Sequence, residues 1–71
     1  MTLDVKQLSV NMKILRKKKG LSQDDLARQA NLKFSNVAKL EGGFSSNPTL
    51  TTLVAIALVL TEGSIDKLLK K

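Results

Sequence analysis

Seventy-one residues, 42% of them hydrophobic, suffice for one small domain with its own core and are too apolar for a disordered tail. The chain has no cysteine and no histidine, so it lacks disulfides, thiolate chemistry and the commonest general base and metal ligand. Two Phe with no Trp or Tyr argue against a stacking platform for single-stranded nucleic acid, while twelve Lys plus Arg against six Asp plus Glu leave a charge of +6 that favours a polyanionic partner.

The N-terminus MTLDVKQLSV lacks the basic stretch and apolar run of a signal peptide. The longest apolar run, Leu53 to Leu60, is eight residues, against about 20 for a membrane span. A cytoplasmic protein without a membrane partner is expected. The first helix is predicted from Asp4 to Lys19. Asp4 and Gln7 stand at capping-box spacing, and Leu3 and Leu8 at staple spacing. Val5, Leu8, Met12 and Leu15 repeat at helical intervals, with Lys6, Lys13, Arg16 and Lys17 on the other face. Lys17, Lys18 and Lys19 fall in the last turn, where cations suit the negative end of the dipole, and Gly20 ends the helix. That run is explained as a helix end before it is explained as a binding signal.

Residues 21–43, LSQDDLARQANLKFSNVAKLEGG, read as two short helices joined by a tight turn. Ser22 can cap the first, with Asp24 and Asp25 at its positive end. Leu21 and Leu26 stand at staple spacing. Leu26, Ala27 and Ala30 mark the buried stripe, and Asn31 can take a left-handed turn conformation. Leu32 returns to the core. The second helix turns Val37 and Leu40 inward, leaves Phe34, Ser35, Asn36 and Lys39 free, and stops at Gly42 and Gly43.

On these residues the stretch from Gln23 to Gly42 resembles the helix-turn-helix of the Cro and phage-repressor (XRE-like) family. The small Ala27 lets two helices cross closely, Leu26, Ala30, Leu32, Val37 and Leu40 occupy the packing positions, and Glu41 precedes the closing glycines. A weaker similarity runs from about Val5 to Leu69. Two positions depart from the pattern: Asn31 replaces the turn glycine, and Lys33 stands where a Ser or Thr usually caps the second motif helix. Lysine cannot accept a hydrogen bond, and its charge opposes the dipole. A broken local rule on an exposed part of a motif often marks function.

The loop Gly42-Gly43-Phe44-Ser45-Ser46-Asn47-Pro48 follows, and then a helix capped by Thr49 and running to Leu60. Leu50, Leu53, Ile56, Ala57 and Leu60 form one face, and Val54, Ala55, Leu58 and Val59 leave little polar surface on the rest. So apolar a helix is either wrapped on most sides or covered by a partner. Ser64 can cap a last short helix with Ile65, Leu68 and Leu69 inward. The Thr61-Glu62-Gly63 connection is one residue longer than the family's usual turn.

The resemblance implies an all-α fold over residues 1–71, a five-helix lambda-repressor-like DNA-binding domain with its helix-turn-helix motif at helices two and three, about residues 22–42. It also implies function: a sequence-specific regulator of double-stranded DNA, a repressor by occupancy of an operator, bound as a homodimer. Helix three would read bases through Lys33, Phe34, Ser35, Asn36 and Lys39. Backbone contacts would come from Gln23, Ser22, Lys13 and Arg28, and from the loop residues Phe44, Ser45, Ser46 and Asn47. Arg16 and Glu41 match a structural ion pair of the family, and Val54, Leu58 and Ile65 are assigned to the dimer interface. A DNA-binding antitoxin with a toxin partner, and a protein-interaction module that retains the fold without DNA, are the alternatives. No cofactor or metal is expected, since Asp24-Asp25 is the only adjacent carboxylate pair and the helix dipole explains it. No nucleophile stands in a catalytic signature and Gly42-Gly43 lacks a phosphate-loop Lys-Ser/Thr, so the chain reads as a non-enzyme.

Overall fold

The computed structural model describes residues 4–44 and 48–70. All regular structure among them is helical: α1 (Val5–Lys18), α2 (Gln23–Gln29), α3 (Phe34–Glu41), α4 (Leu50–Leu60) and α5 (Ile65–Leu69). Four of these helices begin at a side-chain cap. Asp4, Ser22, Thr49 and Ser64 accept from the backbone N–H three residues on, at 3.0, 3.0, 3.2 and 3.1 Å. Each cap satisfies one of the N–H groups that a helix start leaves without a partner. At α2 the cap is reciprocal, because Asp25 accepts the Ser22 N–H at 3.0 Å. At α1 it is not. The Gln7 amide turns away to donate to Asn11 Oδ1 at 2.9 Å, so the expected box is half made. The staple partner Leu3 lies outside the described residues.

The core draws on every helix: Leu8 and Met12 from α1, Leu26 and Ala27 from α2, Val37 and Leu40 from α3, Leu53, Ile56 and Leu60 from α4, and Leu68 from α5. Helix α1 lies between α3 and α5, and α4 packs on α5, α1 and α2. One expectation is corrected. Leu50, assigned to the buried face of α4, is 69% exposed, because it sits at the edge of the arc centred on Leu53. Arg16, on the face of α1 opposite the apolar stripe, is buried, as a structural ion pair with Glu41 requires.

The α2–α3 turn is set by Asn31 at φ 56°, with the Leu32 N–H returning to the Ala27 carbonyl at 2.8 Å. Asparagine tolerates this region better than other side chains do. The α4–α5 connection turns through two consecutive left-handed residues, Glu62 at φ 55° and Gly63 at φ 91°. They let the Gly63 N–H reach back to the Ala57 carbonyl at 2.9 Å, while buried Thr61 places its hydroxyl near the carbonyls of Ala57 and Ser64. The chain thus re-enters the core at Leu68.

Candidate nucleic-acid interface

Helix α3 has one buried and one open flank. Val37, Leu40 and Glu41 are buried, whereas Lys33, Phe34, Ser35, Asn36 and Lys39 are all exposed. This follows from a 3.6-residue period over eight residues: the inward pair fixes the rotation of the helix, and the rest face water. Phe34 does not fold back, remaining 51% exposed. Lys33 is the N-cap residue and gives α3 no side-chain cap, unlike the other four helices. A cation therefore stands beside uncapped N–H groups at the positive end of the helix.

The far end of α3 is held firmly. Arg16 on α1 donates through Nε to Glu41 Oε2 at 2.7 Å and through Nη2 to Oε1 at 2.9 Å, with Nη1 on the Leu21 carbonyl at 2.8 Å. The Glu41 side chain is only 1% exposed, and the hydrogen bond to its carboxylate raises the Arg16 pKa further above its ordinary value. The two charges are desolvated together, and a forked donor on a carboxylate is the geometry that best offsets that cost. Buried Ser9 adds a second tie, its hydroxyl lying within hydrogen-bonding reach of the Val5 and Leu40 carbonyls. Ser9 was not singled out from sequence; the one signal was a small polar residue beside the Leu8–Met12 face.

Gln23, at the start of α2, donates its amide to Glu41 Oε1 at 3.2 Å. An amide NH₂ has two hydrogens, so one remains for another acceptor. Gln23 thereby couples the first turn of α2 to the last turn of α3. The Ser22 hydroxyl and N–H are both engaged in the capping box. Arg28 pairs with Asp24 at 3.2 Å and Asp25 at 2.8 Å, and all three are open to solvent. Exposed pairs of this kind are weak and readily exchanged. Lys13 is exposed on α1. Phe44 is 84% exposed, with its ring edge over Gly42; a Cβ there would come within 2.8 Å of the ring. Ser45, Ser46 and Asn47 lie outside the described residues.

Two of the three residues assigned to a dimer interface lie on one line of α4. Val54 is 39% and Leu58 65% exposed, and Leu50 extends the line by a turn. Ile65 is half-buried against the core. Among the described residues no group of His, Cys, Asp or Glu could hold a metal ion, and no helix is long and apolar enough to cross a membrane.

A family model described as helix-turn-helix matches residues 12–68, well over half of the chain. No curated protein and no solved structure matches it.

Proposed function

The chain belongs to the Cro- and phage-repressor-type helix-turn-helix family of DNA-binding regulators, and on that premise we propose that it is a cytoplasmic repressor that binds its operator as a homodimer. The observation that carries this reading is the division of α3 into a clamped end and an open end. Arg16, Gln23 and Ser9 fix the helix at Glu41 and Leu40. The open first turn presents Lys33, Phe34, Ser35 and Asn36, all exposed, and Lys33 caps no N–H of the helix. A rigid helix with a free polar face is what base readout in a major groove requires.

In this reading Asn36 pairs with adenine, Lys39 reaches guanine or phosphate, Phe34 packs on a thymine methyl, and Ser35 serves base or backbone. Lys33 adds its charge to the uncapped N–H groups of α3, a combination suited to phosphate. The spare amide hydrogen of Gln23, the exposed Lys13 and an Arg28 released from Asp24 and Asp25 contact the backbone, beside the loop that carries Phe44. One half-site offers limited discrimination, which favours two copies about 34 Å apart on one face of the duplex.

The dimer contact is the Leu50–Val54–Leu58 line, with Ile65 at its edge. No residue of α4 carries a charge, so two copies meeting there about a two-fold axis bring no like charges together. Selection of bound fragments from random duplex DNA should return one two-fold-symmetric motif, bound with strong salt dependence. Recovery of unenriched fragments would reject the proposal.

A further inference from the structure

Val10 and Ile14 stand one turn apart on α1 and are 51% and 56% exposed. They take no part in the arrangement described above. Arg16 and Ser9 mark the arc of α1 that faces α3, and Asn11 marks the arc that faces α5, where its amide donates to the Leu68 and Lys70 carbonyls at 2.8 and 2.6 Å. Val10 and Ile14 lie on the outer arc between the two. Beside Ile14 a shallow groove runs between α1 and α5, with Leu15 in its floor and Lys67 and Lys70 on its rim. On the other side of the apolar pair α1 carries Lys17, which is exposed and has no part in the proposed DNA contact. No residue of α1 is acidic, and Asp66 of α5 does not line the groove.

From this juxtaposition we propose that the α1–α5 groove is a docking site for an acidic segment of a partner protein, one that presents apolar side chains a helical turn apart. The apolar pair supplies the anchor, and the flanking lysines select for carboxylates. A second copy of this chain is disfavoured, since an isologous contact would oppose lysines to lysines. That is the reverse of the uncharged α4 line. DNA would leave Val10 and Ile14 against phosphate with nothing to bury them. A lipid surface would find only two aliphatic side chains and no aromatic, far short of an apolar face that holds a helix at a bilayer. Helix-in-groove recognition with anchors at i and i+4 fits the spacing. None of the exposed residues of α3 lines the groove, so the segment and DNA bind at the same time.

The test uses the full chain and three probes. One is a short fluorescein-labelled helical peptide with two Leu a turn apart among Glu residues. The second is the same peptide with Ser in place of Leu, and the third is a phosphatidylglycerol vesicle. The Leu peptide should bind about tenfold more tightly than the Ser peptide. Its amide shifts should centre on residues 10–15 and 67–70, and binding should persist with duplex DNA present. Ile14→Ser, a surface change checked by thermal unfolding, should abolish the preference for Leu, and Lys67→Glu should weaken both peptides. Equal binding of the two peptides, shifts centred on α3, displacement by DNA, or a vesicle that binds in an Ile14-dependent manner would each overturn the proposal.

Discussion

Arg16 and Glu41 meet side-on, two nitrogens of the guanidinium on two oxygens of the carboxylate at 2.7 and 2.9 Å, although they stand 25 positions apart in the sequence. The pair joins the C-terminal part of α1 to the last turn of α3, so it sets where that helix stands. Removing one partner of a buried pair leaves the other desolvated, at a cost of roughly 3–5 kcal/mol. Glu41→Ala should therefore destabilise far more than Asp24→Ala, whose pair with Arg28 is solvated. Urea titrations of the two variants give the comparison, and equal, small effects would contradict it.

Lys33 leaves α3 without a side-chain cap. Threonine there would accept an α3 backbone N–H and remove a cation from the positive end of the helix. Lys33→Thr should stabilise the fold by about 0.5–2 kcal/mol. If Lys33 contacts phosphate, the same change lowers the salt slope of DNA binding by about one. Thermal unfolding and binding titrations at several salt concentrations should move in opposite directions. A variant that is more stable and binds DNA unchanged would remove Lys33 from the interface.

Asn36 tests base readout. Asn36→Ala should cost about 1–3 kcal/mol in affinity and relax preference at one base position in each half-site. Its exposure means that stability should stay within about 0.5 kcal/mol of the parent. Unaltered affinity and preference would mean that this flank of α3 is not the reading surface.

The α4 line tests assembly. Leu58→Lys places a charge where two copies are proposed to meet, and the 65% exposure of Leu58 lets the monomer tolerate it. Footprints of the parent should show half-sites about one helical turn apart, and the variant should fill them without cooperativity. Cooperative, symmetric filling by the variant would exclude the line as the interface.

Asp25 carries a pH signature. The Ser22 N–H above all, then the Ser22 hydroxyl and Arg28, holds its carboxyl below the ordinary aspartate value. A pKa lowered by folding gives stabilisation that is complete above the unfolded value of about 3.9 and is lost as pH falls through the folded value. The stability difference between the parent and Asp25→Asn should therefore be constant above about pH 5 and shrink below about pH 4. Thermal unfolding across that range would show it, and a difference independent of pH would not fit.

What the sequence by itself determined is local. The starts at Asp4, Ser22, Thr49 and Ser64 depend on a side chain meeting a backbone N–H three residues away, and the left-handed Asn31 depends on its own backbone. The inward sets Leu8–Met12 and Val37–Leu40 follow from helical period alone. The Arg16–Glu41 contact was also legible, through the family resemblance and not through the spacing. The tertiary structure decided which of several possible partners each long polar side chain takes. Asn11 caps α5 from a distance of 57 residues, Gln23 turns to Glu41, Arg28 turns back to its own helix, and Ser9 secures α3. It also turned Leu50 outward and left Val10 and Ile14 bare. Periodicity gives the direction of a side chain relative to its own helix, but a hydrogen bond or a covered face depends on where the neighbouring helix crosses, and no residue encodes that alone.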